Sequence, residues 1–272
     1  MKTQRFFLLM ALVWSSGAGS GPAAMAGTPL DVQQKIIEYK DGDTELAGVL
    51  VFNAATHSPE KVPGILVVSD WLGVGPFAIE RAAKLAELGY VAFVADIYGK
   101  DIHPTNAQAA GAQAGLYKQN RPLLRRRVNA ALAVLRSQPS CAASRIAAIG
   151  YCFGGLTVLE LARSGAPVAG VVSFHGGLAS PTPADAKQIQ GKVLVLHGAD
   201  DPNVPPAEVA AFEEEMRAAG VNWQFTAYGG AVHSFTNPKA GNDNSKGVAY
   251  NAQADRRSWQ AMTTFLHELF PQ

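Results

Sequence analysis

The chain of 272 residues has few cysteines and almost no net charge, and each shortage excludes a class of protein. Two cysteines are too few for a disulfide-rich scaffold, and a chain of this length buries a core without such staples. Lys and Arg total 23 against 22 Asp and Glu, so no basic excess indicates binding to nucleic acid. Metal-binding patterns such as Cys-x-x-Cys and phosphate-binding glycine loops are missing, so neither a metal nor a cofactor is expected.

Long apolar runs are also missing, and the one strongly apolar stretch, residues 6–14, is too short to span a bilayer as a helix. A basic start precedes it, small polar residues follow it, and an Ala-Met-Ala sequence ends at Ala26. These features predict a signal peptide over residues 1–26, with cleavage near Ala26 and export to the periplasm or the outside. Residues 27–272 are then expected to form one domain without a membrane span. A retained anchor or a buried N-terminal helix is the alternative.

The two cysteines, Cys141 and Cys152, are predicted to be free thiols. Residues 145–150 between them have the composition of a buried strand, which rises about 3.3 Å per residue. Such a strand holds the two Cα atoms further apart than the roughly 7 Å that a disulfide bridges.

Beyond residue 30, apolar strand-like runs alternate with helical patterns. Strands are predicted at residues 33–39, 45–52, 64–69, 91–95, 145–150, 168–174, 192–196 and 222–228. Helices are predicted at residues 77–88, 121–137, 156–163, 205–219 and 255–270, and residues 99–120 are expected to be irregular. The alternation predicts an α/β fold with a mostly parallel central sheet, helices on both faces and an antiparallel N-terminal hairpin. Ligands of such sheets bind at the carboxyl ends of the strands.

The strongest chemical signal is the sequence GYCFGG at residues 150–155, between a predicted strand and a predicted helix. This context is typical of a nucleophile elbow, in which small residues two positions before and after the nucleophile avoid a backbone clash. Cys152 then lies at the positive end of a helix, which favours a thiolate. The alternative is a buried structural cysteine in a tight turn.

A thiol nucleophile needs a base, and in this architecture the order along the chain is nucleophile, acid, histidine. Among the six histidines, this order leaves His233, in a loop after a strand, and His267, within the last helix. His233 is therefore the predicted base. His175 and His197 follow strands and are expected to line or brace the site.

The acid is predicted in the loop after the strand at residues 192–196, where two carboxylates are adjacent. Asp201 is favoured because Pro202 forces a turn after it, whereas Asp200 is expected to accept hydrogen bonds from loop amides. The oxyanion hole is predicted to consist of the N–H groups of Trp71 and Phe153.

This set of residues resembles the dienelactone hydrolase family of the α/β-hydrolase fold, over about residues 38–270. The resemblance depends on four motifs: DWLG at residues 70–73, DIYG at 96–99, the GYCFGG elbow, and Asp201 followed by HSF at 233–235. It implies a triad of Cys152, Asp201 and His233 that opens lactones or esters through a thioester intermediate. It also implies a small-molecule partner and substrate contacts from Asp70, Tyr98, Lys100 and Phe235.

The chain departs from the family at charged positions. Asp70 stands where family enzymes carry a glutamate in the oxyanion loop, and it could equally cap that loop. Lys100 and Asn237 stand at or near the positions of two arginines that hold the carboxylate of dienelactone. Arg256 or Arg257 could replace the missing cation, although solvated helix charges are the favoured interpretation. These departures, together with export, indicate a substrate other than dienelactone.

Three hypotheses follow from these residues. The first is a hydrolase of small esters or lactones. The second is a non-catalytic ligand-binding member of the fold, and the third is a thiol protein that senses peroxide. Exchange of Cys152 for alanine separates them. It is expected to abolish turnover under the first hypothesis, to leave binding intact under the second, and to remove only the oxidation chemistry under the third.

Overall fold

The computed structural model describes residues 30–56 and 61–271, so the predicted signal sequence and its cleavage site lie outside the described residues. Eight strands form one sheet: β1 (Val32–Asp41), β2 (Thr44–Asn53), β3 (Val62–Val68), β4 (Val91–Ala95), β5 (Cys141–Tyr151), β6 (Gly170–Phe174), β7 (Lys192–Gly198) and β8 (Trp223–Tyr228). The helices are α1 (Pro76–Glu87), α2 (Ala107–Gln119), α3 (Arg121–Ser137), α4 (Phe153–Arg163), α5 (Pro206–Ala219) and α6 (Ala252–Leu269).

The strand order is β1-β2-β4-β3-β5-β6-β7-β8. β1 pairs with β2, and β2 with β4, in the antiparallel sense, while all other neighbours are parallel. This arrangement confirms the predicted mostly parallel sheet with an antiparallel hairpin at its start. The carboxyl ends of β3, β5, β6, β7 and β8 therefore meet at one edge, where ligands of such sheets bind.

The two faces of the sheet are buried by different helices. Leu66 and Val68 of β3 pack into a cluster with apolar side chains of α3, α4 and α5. Ile65 and Val67, which point to the opposite face, pack with those of α1 and α6. Because both faces are covered, the central strands are continuous apolar runs rather than alternating ones, as the sequence indicates.

Helix α2 corrects the prediction that residues 99–120 are irregular. The Asn106 side chain accepts a hydrogen bond from the Ala109 N–H and begins the helix. Its buried stripe consists of Ala110, Ala114 and Tyr117, at helical spacing. Two of these three residues are alanines in an alanine-rich segment, so the stripe differs little in hydrophobicity from its surroundings. A periodicity search therefore misses the helix, although alanine has the highest helix propensity.

The two cysteines are free, as predicted. Cys141 is the first residue of β5 and Cys152 directly follows its last residue. A strand of that length separates them by about 35 Å. Within the described residues, no helix combines the length and apolar content needed to cross a bilayer.

Candidate active site

The predicted nucleophile elbow is a tight turn that requires glycine two residues before and two residues after Cys152. Cys152 itself has a φ of 55° and a ψ of −111°, between the end of β5 and the start of α4. A Cβ on Gly150 would lie 2.0 Å from the Gly154 carbonyl oxygen, and one on Gly154 would lie 2.1 Å from the Val68 carbonyl oxygen. The backbone is therefore packed too closely for any side chain, and the strained turn projects the Cys152 thiol from the sheet edge.

Three predicted residues from three different loops form one chain of contacts. His233 Nε2 lies 3.0 Å from Cys152 Sγ, and His233 Nδ1 lies 2.8 Å from Asp201 Oδ2. Asp201 and His233 are buried, whereas Cys152 is half-buried. The structure thus brings thiol, imidazole and carboxylate together in the order that acyl transfer by a nucleophilic triad requires.

The two adjacent carboxylates after β7 have separate partners. Asp201 Oδ1 accepts a hydrogen bond from the Asn203 N–H at 2.8 Å, which leaves Oδ2 for His233. Asp200 Oδ2 accepts one from the Gly230 N–H at 3.1 Å. The prediction that Asp200 accepts from loop amides is confirmed.

The pKa of His233 reflects opposing effects of burial and partners. Burial by itself lowers the pKa, but hydrogen bonds to Asp201 and Cys152 and the charges of both groups raise it to about 10. The imidazolium form of His233 is therefore favoured between Asp201 and Cys152. A positive charge beside a cysteine sulfur is the arrangement that activates it as a nucleophile.

The loop that carries His233 is held by the segment that follows it. The His233 N–H donates to the Gly247 carbonyl, and the His233 carbonyl accepts from the Ala249 N–H. Two residues further along both segments, the Asn251 N–H donates to the Phe235 carbonyl at 3.0 Å. Residues 247–251 thus pair with the histidine loop like a short parallel strand, a role for which the sequence shows no signal.

A buried arginine of helix α1 also holds the histidine loop. Arg81 Nη2 donates to the Thr236 carbonyl at 2.6 Å and to Asp255 Oδ1 at 2.9 Å. The guanidinium also packs over the rings of Phe77 and Trp259. Arg81 thereby ties helices α1 and α6 to the histidine loop, and sequence analysis misses it because its partners are 155 and 174 residues away.

His175 and His197 brace the site, as predicted, rather than replacing His233. His175 Nε2 lies 2.7 Å from Thr236 Oγ1, and its ring centre is 5.3 Å from that of His233. Burial first, and then the nearby His233, hold the pKa of His175 well below the usual value. Burial also lowers the pKa of His197, whose ring packs against Phe225. Both imidazoles are therefore uncharged supports.

The predicted oxyanion loop is pinned on both sides of Trp71. Asp70 Oδ1 accepts from the Leu72 N–H at 2.9 Å, and the Tyr98 hydroxyl donates to the Trp71 carbonyl at 3.0 Å. Within the described residues, neither the Trp71 N–H nor the Phe153 N–H donates a hydrogen bond. Both donors are thus available to an incoming oxyanion.

A family model described as the dienelactone hydrolase family matches residues 49–270. The chain belongs to this family. A solved structure from metagenomic libraries, the dienelactone hydrolase-like promiscuous phosphotriesterase P91, is 42% identical; the match covers 88% of this chain and 98% of that chain, with a TM-score of 0.83.

Two curated relatives were also found. An uncharacterized protein of Caenorhabditis elegans is 39% identical over 54% of this chain and 94% of its own length. A putative carboxymethylenebutenolidase of Synechocystis is 24% identical over 85% of this chain and 95% of its own length. Membership of the dienelactone hydrolase family makes the chain a hydrolase of carboxylic esters or lactones.

Two of the four residues predicted to contact the substrate of this dienelactone hydrolase family member lie away from the cavity that contains Cys152. Lys100 forms an ion pair with Glu45 and does not line the cavity that contains Cys152. Phe235 is fully buried and packs against the rings of His175 and Tyr228. The structure does not bring these two side chains to the cavity, because Lys100 has a carboxylate partner on the neighbouring hairpin and Phe235 is part of the core.

The other two predicted contacts lie around the oxyanion loop. Tyr98 is buried; its hydroxyl donates to the Trp71 carbonyl, and its ring packs against that of Phe153. Asp70 is held mainly out of water, and this burial raises its pKa against the effects of the Leu72 N–H and His233. Asp70 thus caps the loop and also places a carboxyl group beside the site, so the loop-cap and substrate-contact interpretations are compatible with each other.

Two cavities meet at the sheet edge. The first, here called the thiol pocket, has a volume of about 430 Å³ and is lined by Cys152, His233, Trp71, Gly177, Val204 and Lys118. Lys118 belongs to α2 and is the cation that sequence analysis missed, because the helix itself was missed. Among residues 30–56 and 61–271, no group of three or more His, Cys, Asp or Glu side chains is arranged to hold a metal.

The other cavity, here called the second pocket, has a volume of about 280 Å³. Its walls include Asp70, Leu72, Gly75, Phe77, Lys239 and Ala240. Trp71, Ser234 and Val248 line both cavities and so form the partition between them.

Proposed function

We propose that the enzyme hydrolyses carboxylic esters or lactones of small molecules through a thioester on Cys152, with His233 as acid and base and Asp201 as its orienting partner. The observation that carries the proposal is the continuous series of contacts from Asp201 through His233 to Cys152, at 2.8 and 3.0 Å. The name of the Synechocystis relative, a putative carboxymethylenebutenolidase, agrees with it.

Acylation begins with attack of Cys152 Sγ on the carbonyl carbon, and the π electrons of the carbonyl move to its oxygen. The Trp71 and Phe153 N–H groups are suited to hold that oxyanion because both are free of other acceptors within the described residues. When the oxyanion re-forms the carbonyl, the carbon–oxygen ester bond breaks. The leaving alkoxide takes the proton from His233 Nε2, and a thioester and a neutral imidazole are left.

Deacylation reverses these roles. His233 Nε2 takes a proton from a water molecule whose oxygen attacks the thioester carbon, and a second oxyanion forms in the same hole. Its collapse breaks the carbon–sulfur bond, releases the carboxylic acid and restores the thiolate–imidazolium pair. Asp201 holds the Nδ1 side of the ring throughout.

The test is turnover of p-nitrophenyl acetate by wild type, Cys152→Ala and Cys152→Ser. We expect the alanine variant to lose turnover by at least about three orders of magnitude, because no acyl acceptor is left. Its melting temperature should stay near that of wild type. Rapid quenching and intact-mass measurement should find one acetyl group on wild type and none on Cys152→Ala. Undiminished turnover in the alanine variant contradicts the proposal.

The two other hypotheses have different outcomes in the same experiment. Ester binding without turnover by reduced wild type would support a ligand-binding protein. A peroxide sensor needs a second thiol or an equivalent partner, and burial raises the pKa of the Cys141 thiol to about 11 at the far end of β5. Cys141 is thus a poor resolving residue, which favours hydrolysis.

We further propose that the enzyme acts outside the cytoplasm after cleavage near Ala26. The basic start, the apolar run and the Ala-Met-Ala sequence support this location. N-terminal sequencing of protein expressed with its full leader tests it, and a mature chain that begins at Gly27 is the expected result. An uncleaved chain in the cytoplasm contradicts it.

A further inference from the structure

The second pocket has no role in the steps above, although it adjoins the thiol pocket. It shares Trp71, Ser234 and Val248 with the thiol pocket, and Trp71 supplies a proposed oxyanion donor. The carbonyl carbon of a bound ester therefore sits next to the partition between two cavities. An ester has two substituents on that carbon, an acyl chain and an alkoxy group, and each needs a space of its own.

The chemistry decides which substituent belongs in which cavity. The acyl chain remains attached to Cys152 Sγ in the thioester, so it must fit the thiol pocket, which contains that sulfur. The alkoxy oxygen must reach His233 Nε2 to be protonated. His233 itself lines the thiol pocket, but Ser234, the next residue, lies on the partition, so the second pocket is the space on the far side of His233 from the sulfur's own cavity.

The walls of the second pocket indicate a bulky group without charge. Leu72 and Phe77 supply apolar surface, and Leu72 and Val248 are 46% and 38% exposed, so their apolar side chains are accessible to a bound group. The two charged groups, Asp70 and Lys239, have opposite signs, so neither an anion nor a cation is favoured overall. A volume of about 280 Å³ accommodates one or two fused rings.

We propose that the second pocket is the leaving-group site of this enzyme, and that its preferred substrates are open-chain esters of bulky, uncharged alcohols or phenols. A compact lactone keeps both substituents in one ring and needs only one cavity, whereas two cavities joined at the carbonyl suit a substrate with two separate arms. The inference rests on the thioester mechanism proposed above.

Two glycines provide matched variants that fill one cavity each. Gly75 lines the second pocket and Gly177 lines the thiol pocket; a Cβ on either would meet no atom closer than 3.8 Å. Neither has a positive φ, so Gly75→Leu and Gly177→Leu introduce volume without backbone strain. Ala240→Leu fills the second pocket from another wall. Gly229→Leu, in open space and lining neither cavity, is the control.

The experiment measures kcat and KM for two ester series. One keeps the acetyl group and changes the alcohol from ethanol to phenol and 1-naphthol, and the other keeps phenol and lengthens the acyl chain from acetyl to octanoyl. We expect Gly75→Leu and Ala240→Leu to raise KM for 1-naphthyl acetate about tenfold relative to phenyl acetate. Gly177→Leu should instead raise KM for phenyl octanoate, and Gly229→Leu should change neither ratio.

Two results overturn the inference and leave the thioester mechanism standing. One is that Gly75→Leu and Ala240→Leu both impair the long acyl chain and spare the naphthyl ester. The other is that neither variant changes the ratio between naphthyl and phenyl acetate. Failure of the mechanism has a different signature, because wild type would then hydrolyse no ester, or Cys152→Ala would hydrolyse the panel as fast as wild type.

Discussion

The proposed nucleophile and the proposed base are held in place by opposite means. Cys152 sits in a turn whose shape depends on close backbone contacts at Gly150 and Gly154, both within two residues of it. His233 sits in a loop held by residues 247–251 and by Arg81, which is distant in sequence. Cys152 is thus positioned by local sterics and His233 by long-range hydrogen bonds.

This difference has a physical consequence. A turn defined by missing side chains tolerates no added atom, since the opposing groups are backbone and cannot move aside. A loop held by several hydrogen bonds loses them one at a time, so its variants should be graded rather than all-or-none. The predictions below test that contrast, from the largest expected effect to the smallest.

Gly154→Ala should be the most damaging single change. The new Cβ would lie 2.1 Å from the Val68 carbonyl oxygen, so β3 and α4 must separate. We expect a loss of about 3 kcal/mol or more in the free energy of unfolding and no measurable ester turnover. Chemical denaturation is the measurement, with Gly115→Ala in α2, where a Cβ meets nothing within 4 Å, as the control. A Gly154→Ala protein with normal stability would refute the steric account.

Asp201→Asn should reduce kcat by on the order of 10³–10⁴-fold with little change in fold, because the orienting charge is lost. The substitution should also change the pH dependence of kcat/KM and of the unfolding free energy. The raised pKa of His233, about 10, means that the imidazolium form and its stabilising contribution are complete below the ordinary histidine pKa. Both are lost as the pH rises through about 10, where the alkaline limb of kcat/KM is expected.

Without the Asp201 charge the pKa of His233 falls, so the alkaline limb should shift to lower pH in Asp201→Asn. The pH–rate profile and the unfolding free energy as a function of pH check this. Asp200→Asn, which alters the neighbouring carboxylate, serves as the control and should keep the wild-type profile. An unshifted limb in Asp201→Asn would mean that this carboxylate does not set the imidazole pKa.

Arg81→Met should loosen the histidine loop and spare the elbow. The change leaves the Asp255 carboxylate and the Thr236 carbonyl without their buried donor, at a cost of about 2–3 kcal/mol in unfolding free energy. Turnover should fall further than in Arg217→Met, which breaks an exposed ion pair and should cost under about 0.5 kcal/mol. Thermal unfolding and kcat measure the two effects. Equal behaviour of both variants would show that Arg81 does not hold the loop.

Tyr98→Phe should have the smallest effect. It removes one hydrogen bond to the Trp71 carbonyl, worth about 1 kcal/mol, and leaves the ring packing intact. We expect kcat to fall about fivefold at constant KM, since the oxyanion loop loosens and the pocket does not change. Tyr117→Phe removes a similar bond to the Tyr98 carbonyl and should leave kcat near that of wild type. A KM increase instead would indicate a direct substrate contact for Tyr98.

The parts of the site that were predicted from sequence are those with local or ordered signals. The elbow is recognised from six consecutive residues and its flanking strand and helix. His233 and Asp201 follow from their order along the chain and from loop position. The sheet and its hairpin follow from apolar runs, because strands covered on both faces leave an unbroken signal.

Errors occurred where an outcome depended on a distant partner or on small side chains. Lys100 carries the positive charge expected of a residue that binds a carboxylate substrate, yet it forms an ion pair with Glu45 on the hairpin. Phe235 follows the base directly, yet its ring is in the core. Helix α2 was missed because its buried face consists mainly of alanines, which give little hydrophobic periodicity. Lys118, which this helix places at the thiol pocket, was missed for the same reason.

The sequence by itself determined the fold class, the elbow and the identity of the three candidate triad residues, because backbone sterics, strand burial and chain order act over short or ordered stretches. The tertiary structure alone decided which side chains line the two cavities and how the histidine loop is held. Those features depend on contacts such as Arg81 with Thr236, 155 residues apart, whose pairing no local pattern encodes. Residues that form such contacts acquire their partners only when the sheet brings the strand ends together.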